Sequence, residues 1–209
     1  MEGISSREYK DCLKLIGEVA PVRGLPGRSK SGNRCRRCPV TEIYNFESLP
    51  HILGKCPFGD LLRNKRHNSI RKIIADAFRE KQFEVFEEVT GIAEKGSIRR
   101  CDIIVLDRKN NIGYILDPTI RYETKSTQPD DVDKEKKLIY EDTTKYYKEK
   151  YQINSFEVIG LFIGARGTIS KFFMNFCKRF KLGKDILHTI SLTTKKFSVN
   201  ILRNYLYSD

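Results

Sequence analysis

The amino-acid sequence predicts an α/β protein, with a central mixed β-sheet flanked by helices and preceded by a small cysteine-rich segment. Three observations support this prediction. An amphipathic helix spans 65–82, four apolar segments of strand length lie between 83 and 165, and Cys and His residues cluster within 35–58. A chain of 209 residues is long enough to bury one sizeable core. We therefore expect one α/β core with a small appendage.

The first part of the core is predicted by the spacing of its apolar residues. The helix over 65–82 has an apolar stripe made of Ile70, Ile73, Ile74, Ala77 and Phe78. Alternating or continuous apolar residues then predict strands over 83–89, 101–107 and 112–120. The turn sequence "RKNN" joins the last two strands as an antiparallel hairpin.

The second part of the core alternates helix and strand. Residues 130–150 are highly charged and have helical spacing. Residues 156–165 form the most continuous apolar run, which predicts a buried central strand. Two C-terminal helices are expected at about 169–181 and 184–205. The predicted order is therefore helix, three antiparallel strands, helix and buried strand.

The charge balance is strongly basic. The chain has 39 Lys and Arg residues against 27 Asp and Glu residues, a net charge of +12. The excess recurs along the chain, in residues 34–37, 63–72, 145–150 and 178–184. Such a surface is typical of proteins that bind a polyanion. No apolar run approaches the roughly 18 residues of a membrane span, and the N-terminus lacks a signal-peptide pattern, so we expect neither membrane insertion nor secretion.

A possible metal site has the spacing C-x2-C-x12-H-x4-C. Its four residues are Cys35, Cys38, His51 and Cys56. Three thiolates and one imidazole suit tetrahedral zinc and leave no open position, which predicts a structural ion. Without a secretion signal, this pattern favours a metal site in a reducing compartment over disulfides. Arg36 and Arg37, between the first two ligands, either contact phosphate or form a solvated tip.

Two acidic residues stand at the ends of apolar strands. The hairpin turn brings Asp102 and Asp117 to the same level of the predicted sheet. Two carboxylates ~4 Å apart repel by about 4 kcal/mol at an effective dielectric of 20, so a raised pKa or a divalent cation must offset the repulsion. A few oxygen ligands favour Mg²⁺ or Mn²⁺, which assist phosphodiester hydrolysis. The alternative is that both carboxylates are solvated or paired with Arg99, Arg100 or Arg121.

A lysine is the third candidate for this site. Lys136 lies on the apolar stripe defined by Val132 and Ile139, where it either snorkels or reaches the acids. Tyr140, one turn further, is positioned to support it. Lys134 projects nearly opposite. Helix geometry favours Lys136, whereas spacing alone leaves Lys134 open.

Five segments occur in an informative order: "CRRC…ESLPHILGKCP", "RHNSIRKIIADAF", "RRCDIIVLD", "YILDPTIRYE" and "IGLFIGARGTI". Together they resemble the C-terminal module of site-specific non-LTR retrotransposons, over about residues 30–170. In that family a zinc knuckle precedes a restriction-like endonuclease of the P-D…(D/E)-x-K superfamily. The resemblance implies a restriction-endonuclease-like core that nicks target DNA, and the new 3′-hydroxyl primes reverse transcription. It also implies that Asp102 and Asp117 are the catalytic, metal-binding acids.

Two positions depart from the family pattern. Cys101 stands in place of the proline before the first acid, and Thr119 stands where ordinary superfamily members carry the lysine. In the retrotransposon branch that lysine moves to the following helix, which agrees with Lys136. Glu87 or Glu88 either adds a metal ligand, as an upstream acid does in many relatives, or is a solvated strand residue.

Five residues are predicted to contact nucleic acid: Arg36, Arg37, Arg66, His67 and Arg71. The first two lie in the knuckle. Arg66 and His67 match the family's stretch between knuckle and nuclease, which implies an approach to DNA; otherwise they only begin a helix. Arg71 lies on the basic face of that helix.

The predicted organisation has three parts. An N-terminal helix and basic linker span 1–34, a CCHC zinc knuckle spans 35–64, and a restriction-like endonuclease domain with C-terminal helices spans 65–209. We expect a nuclear, Mg²⁺-dependent DNA endonuclease excised from a longer polyprotein. Its expected partners are double-stranded target DNA, the reverse-transcriptase domain of the same polyprotein and the element RNA. The alternatives are a catalytically inactive zinc-knuckle module that binds nucleic acid, or an interaction module, which leaves the charge unexplained.

Overall fold

A four-stranded sheet with the order β1-β2-β3-β4 forms the centre of the computed structural model, which describes residues 5–28, 32–40 and 44–208. The strands are β1 (Glu84–Ile92), β2 (Ile98–Asp107), β3 (Ile112–Arg121) and β4 (Ser155–Gly164). The first three are antiparallel, and β4 pairs parallel to β3. The mixed sheet predicted from the sequence is therefore confirmed.

Seven helices occur in the described part of the chain. They are α1 (Ser6–Ile16), α2 (Leu49–Gly54), α3 (Asp60–Glu80), α4 (Gln128–Tyr140), α5 (Thr144–Tyr151), α6 (Lys171–Arg179) and α7 (Lys184–Tyr207). The apolar residues of α3, α6 and α7 pack on one face of the sheet, and those of α4 and α5 pack on the other. Within these residues, no helix combines the length and apolar character of a membrane span.

The hairpin between β2 and β3 forms where the sequence predicts it. Asp107 accepts hydrogen bonds from the N–H of Asn110, at 3.1 Å, and from its side chain, at 2.7 Å. Asn111 adopts φ 56°, a conformation that Asn tolerates better than most residues. The chain reverses over these residues, so β2 and β3 align with Ile103 opposite Leu116.

The helix predicted over 65–82 begins earlier, at Asp60. It continues through the predicted boundary between residues 64 and 65, so the cysteine-rich segment and the sheet region share α3. Residues 29–31 of the predicted linker and residues 41–43 of the predicted knuckle lie outside the described residues. The division into three parts stays a prediction.

Arg66, predicted to contact DNA, lies instead in the interior. The residue is only 2% exposed, and its guanidinium donates to the carbonyl oxygen of Leu53 at 3.0 Å and to Oγ of Ser198 at 2.9 Å. Burial and the nearby Arg63 lower the pKa of Arg66 to about 10, so it stays charged at neutral pH. Arg66 therefore ties the cysteine-rich segment to α7, and its predicted DNA contact is corrected to a structural role.

Glu47 forms a second tie between the cysteine-rich segment and α7. It is fully buried, and the Arg36 guanidinium donates to it twice, at 2.6 and 3.0 Å. The hydroxyl of Tyr205 and the N–H of Arg23 also donate, both at 2.8 Å. Burial alone would raise the pKa of Glu47, but these hydrogen bonds outweigh burial and hold the pKa at about 2.

This hydrogen-bonded carboxylate predicts a pH-dependent contribution to stability. The pKa of Glu47 is about 2 in the folded state, against an ordinary value of 4.5. The ionised carboxylate therefore stabilises the folded protein above pH 4.5, and this stabilisation is lost as the pH falls toward 2. We expect Glu47→Gln to lower the free energy of unfolding by about 3 kcal/mol at pH 7. Urea unfolding of both proteins measures this difference, which should close as pH falls from about 4.5 to about 2.

Glu84→Gln is the matched control, since Glu84 pairs with Arg108 on the exposed surface. Its loss should cost less than about 1 kcal/mol. Equal unfolding free energies for Glu47→Gln and the parent at pH 7 would contradict the predicted role of Glu47.

Candidate functional site

The four predicted metal ligands come together in the structure. The ligand atoms of Cys35, Cys38, His51 and Cys56 all lie within 4.8 Å of one another, and all four residues are buried. Sγ of Cys56 lies 3.8 Å from both other sulfur atoms, and Sγ of Cys38 lies 3.3 Å from Nε2 of His51. The cluster forms from two chain segments that are separated by more than ten residues.

Local structure fixes the second pair of ligands. His51 lies in the short helix α2, whose first turn is capped by Ser48 and contains Pro50. The N–H of Cys56 donates to the carbonyl oxygen of His51 at 2.8 Å, which folds the chain back after the helix. The spacing of four residues between these ligands therefore brings both side chains to the same side.

The chemistry of these donors fits zinc. Atoms bound at about 2.3 Å to a tetrahedral ion lie about 3.8 Å apart, which matches the sulfur separations. Burial raises the pKa of Cys56 to about 12, so its thiolate needs a cation beside it. Burial and the positive charge of Arg63 lower the pKa of His51, which favours the neutral imidazole that metals bind. The cluster could therefore hold zinc with four protein ligands.

The two predicted acids lie at one end of the β2–β3 ladder. The last pair of that ladder is Ile103 and Leu116, so one further step sets Asp102 against Asp117. Burial and the negative charges of both acids raise the pKa of Tyr140, a residue of α4. Since both carboxylates lie close enough to raise the pKa of the same phenol, the structure brings the predicted acids together.

Asp117 is held by donors on two elements. It is 4% exposed, and Oδ2 lies 3.0 Å from Nζ of Lys136 and accepts a 3.0 Å hydrogen bond from the hydroxyl of Tyr140. Thr119, two residues along β3, donates to Oδ1 at 2.8 Å. Lys134 of α4 is exposed, whereas the side chain of Lys136 is only 16% exposed. Among the residues that the structure describes, Lys136 is the one of the two candidate lysines that pairs with an acid.

The position of α4 depends on one close contact with the sheet. A β-carbon at Gly160 of β4 would lie 2.7 Å from the carbonyl oxygen of Val132, so only glycine lets α4 approach this closely. The N–H of Gly160 donates to Asp133 at 2.9 Å. The contact of Asp133 with Gly160 was not predicted from the sequence. The sequence signal for it was an acidic residue, Asp133, next to the apolar Val132 on α4.

Asp102 is approached from the opposite side of the sheet. Oδ1 lies 3.2 Å from Nε2 of His67 on α3, a residue predicted to contact DNA. His67 lies one turn before Ile70, so it extends the buried stripe of the helix. That spacing could have placed His67 beside the acids rather than on the surface.

The strands are irregular beside Asp102. Glu88, at the level of Asp102 on β1, adopts φ 53° and interrupts the regular pairing. Phe86 and Val89 consequently face the same cluster, although an odd spacing normally sends side chains to opposite faces. Cys101, where the resembling family has proline, is fully buried in that cluster. Such local distortions are common near functional sites.

The remaining predicted nucleic-acid residues form contacts within the chain. Arg36 pairs with Glu47, and Arg37 donates to the carbonyl oxygens of Tyr205 and Ser208. Arg71 pairs with Glu87 and with Glu88. Both glutamates therefore pair with arginine, and Glu88 lies at the level of Asp102, so a metal-ligand role for either stays a prediction. Contacts of Arg36, Arg37, His67 and Arg71 with nucleic acid stay predictions.

The cluster predicts one zinc ion per chain. Cys56→Ala should lose that zinc and lower the melting temperature, because metal binding contributes to the folding of so small a segment. Cys177→Ala is the matched control, since Cys177 is a buried thiol in the sheet core. Zinc is counted by mass spectrometry after gel filtration, alongside thermal unfolding. One zinc retained by Cys56→Ala would contradict the assignment.

Comparisons with known proteins agree in part with these observations. No protein-family model matches the chain. The chain is 27% identical, over 174 residues and 78% of its length, to a retrovirus-related Pol polyprotein from type-1 retrotransposable element R2 of Popillia japonica. A second protein of the same description and organism is 23% identical over 98% of the chain. The chain spans about a third of the length of both relatives, 33% in each case. It is therefore similar to part of a retrotransposon Pol polyprotein and carries a Cys₃His cluster that could bind zinc.

Proposed function

We propose that this chain is the divalent-metal-dependent endonuclease of a non-LTR retrotransposon. It nicks one strand of double-stranded target DNA, and the released 3′-hydroxyl primes reverse transcription. The similarity to a retrotransposon Pol polyprotein supports the setting. The observation that carries the proposal is the acid pair Asp102 and Asp117 with Lys136 beside it, at the end of the β2–β3 ladder.

The donor set suits magnesium or manganese. Asp102 and Asp117 offer carboxylate oxygens, the ligands that these ions prefer. A bound ion would supply water activation and neutralise charge on the scissile phosphate. The side chain of Asp102 is 19% exposed, so this acid is partly accessible from solvent.

Lys136 has the position of a charge-stabilising residue. Its ammonium lies 3.0 Å from Asp117, and a phosphate beside the acids would lie within its reach. A preorganised cation of this kind stabilises the charge that develops on phosphorus in the transition state. The hydroxyl of Tyr140 also donates to Asp117, and burial keeps that phenol protonated. Tyr140 thereby fixes the carboxylate against β3.

The partners follow from charge and from similarity. A net charge of +12 favours a polyanion, and double-stranded DNA is the partner that this function requires. The reverse transcriptase of the same polyprotein and the element RNA are further proposed partners. Action on chromosomal DNA implies a nuclear location.

A catalytically inactive, zinc-stabilised nucleic-acid-binding module is the second candidate. One observation favours it: both acids already have partners within the chain, Lys136 for Asp117 and His67 for Asp102. Ion pairs of this kind also occur in purely structural networks. Under this function the chain binds DNA and leaves it intact.

Nicking of supercoiled plasmid separates the two functions. The zinc-loaded parent should nick the plasmid with Mg²⁺ or Mn²⁺, and Asp117→Asn should not. Lys136→Met should slow nicking by about 10² to 10³-fold, the usual effect of removing one transition-state donor. Lys134→Met is the matched control and should nick at the parent rate.

One result would contradict the endonuclease, and another would contradict the role given to Lys136. One is a folded, zinc-loaded parent that binds plasmid without nicking it in either metal; this result would support the second candidate. The other is an equal loss of nicking rate in Lys134→Met and Lys136→Met, which would contradict the role given to the contact between Lys136 and Asp117.

A further inference from the structure

The hairpin of β1 and β2 extends beyond the rest of the sheet. Its ladder runs on to the pair Ile92 and Ile98, whereas the ladder of β2 and β3 ends at Ile103 and Leu116. Residues 89–101 therefore form a two-stranded extension. This extension begins beside the first acid of the candidate active site.

The back of the hairpin is fixed to the protein. The hydroxyl of Tyr147 donates to the carbonyl oxygen of Val89 at 3.0 Å, and its ring fills the space that a β-carbon at Gly91 would need. Near the tip, the N–H of Glu94 donates to the carbonyl oxygen of Asp142 at 2.9 Å. The hairpin is thus held as a rigid projection.

The front of the hairpin is an exposed apolar ridge. Ile92 and Ile98 are 50% and 69% exposed, and they are direct cross-strand partners. Single exposed apolar residues are ordinary, but two paired isoleucines form one continuous ridge. Lys95 at the turn and Arg100, two residues from Ile98 on the same face, are also exposed, and Arg100 pairs with Glu88. Cations flanking an apolar ridge match a phosphate backbone flanking stacked bases.

The ridge is aligned with the acid pair. Ile98, Arg100 and Asp102 occupy alternate positions of β2, which place them on one face of the hairpin. Four residues separate the ridge from Asp102, or about 13 Å at 3.3 Å per residue. That distance is about four base pairs of B-DNA at 3.4 Å each.

We propose that this hairpin is a DNA wedge, in which Ile92 and Ile98 insert at a base step while Lys95 and Arg100 contact the flanking phosphates. Insertion of apolar side chains from the minor groove unstacks and bends DNA. The proposal rests on the proposed endonuclease for the position of the DNA. It adds that the duplex is distorted about four base pairs from the nick.

Permanganate, which oxidises unstacked thymines, tests the wedge on plasmid DNA. Nick sites are first mapped with Mg²⁺, and Ca²⁺ then replaces Mg²⁺ so that bound DNA stays intact. The parent should cause reactive thymines about four base pairs from the nicks. The variant Ile92→Ser/Ile98→Ser should abolish this reactivity and bind DNA at least about tenfold more weakly, since one buried apolar side chain already accounts for about that factor.

Two variants control for nonspecific effects. Leu138→Ser changes another highly exposed apolar residue, 79% exposed on α4, and should keep the reactivity. Ile98→Met keeps an apolar side chain in the ridge and should keep it too. Thermal unfolding confirms that each variant is folded, as expected for exposed positions.

The outcomes separate the wedge from the nuclease. Permanganate reactivity that depends on the isoleucines supports the wedge, whether or not the parent nicks DNA. If the parent does not nick, this result still supports the wedge and contradicts the endonuclease. Reactivity that is absent from the parent, or unchanged in the double serine variant, overturns the wedge even if nicking is robust. The ridge would then be a surface for a protein partner.

Discussion

The carboxylate of Asp117 is the group on which the arrangement of the candidate active site depends, because a buried anion must be paired. At 4% exposure it is met by Lys136 and Tyr140, both from α4. Opposite charges 3 Å apart attract by about 5 kcal/mol at an effective dielectric of 20, comparable with the repulsion between neighbouring carboxylates. The helix must therefore pack on the face of the sheet beside Asp117, and Gly160 allows it to approach closely enough.

The metal cluster and the acid pair are joined through a single helix. On α3, Arg66 reaches the cysteine-rich segment through Leu53, and the next residue, His67, reaches Asp102. Because both contacts start from adjacent positions, a shift of the cysteine-rich segment would move one side of the acid pair. The zinc ligands thus influence the geometry of the acid pair, although they lie outside it.

Much of this architecture could be predicted from the sequence, because it depends on local patterns. Apolar periodicity predicts the strands and α3, and the "RKNN" turn fixes the register that aligns Asp102 with Asp117. The spacing of the Cys and His residues predicts a cluster that the structure forms. Helix phase likewise favours Lys136.

The rest depends on long-range packing, which local patterns do not encode. From the sequence, Arg66 is predicted to be a basic surface residue. Its hydrogen bond to Ser198, 132 residues later, depends on the fold and has no local signal. The contact of Glu47 with Tyr205 and the interruption at Glu88 are of the same kind.

The number of Mn²⁺ ions bound by the zinc-loaded protein tests whether the acid pair binds a divalent metal. Electron paramagnetic resonance counts free Mn²⁺ during a titration of the parent, of Asp102→Asn and of Asp76→Asn, an exposed acid on α3 that serves as control. We expect at least one bound Mn²⁺ that Asp102→Asn loses and Asp76→Asn keeps. Equal Mn²⁺ binding by all three proteins, at equal zinc content, would contradict this expectation.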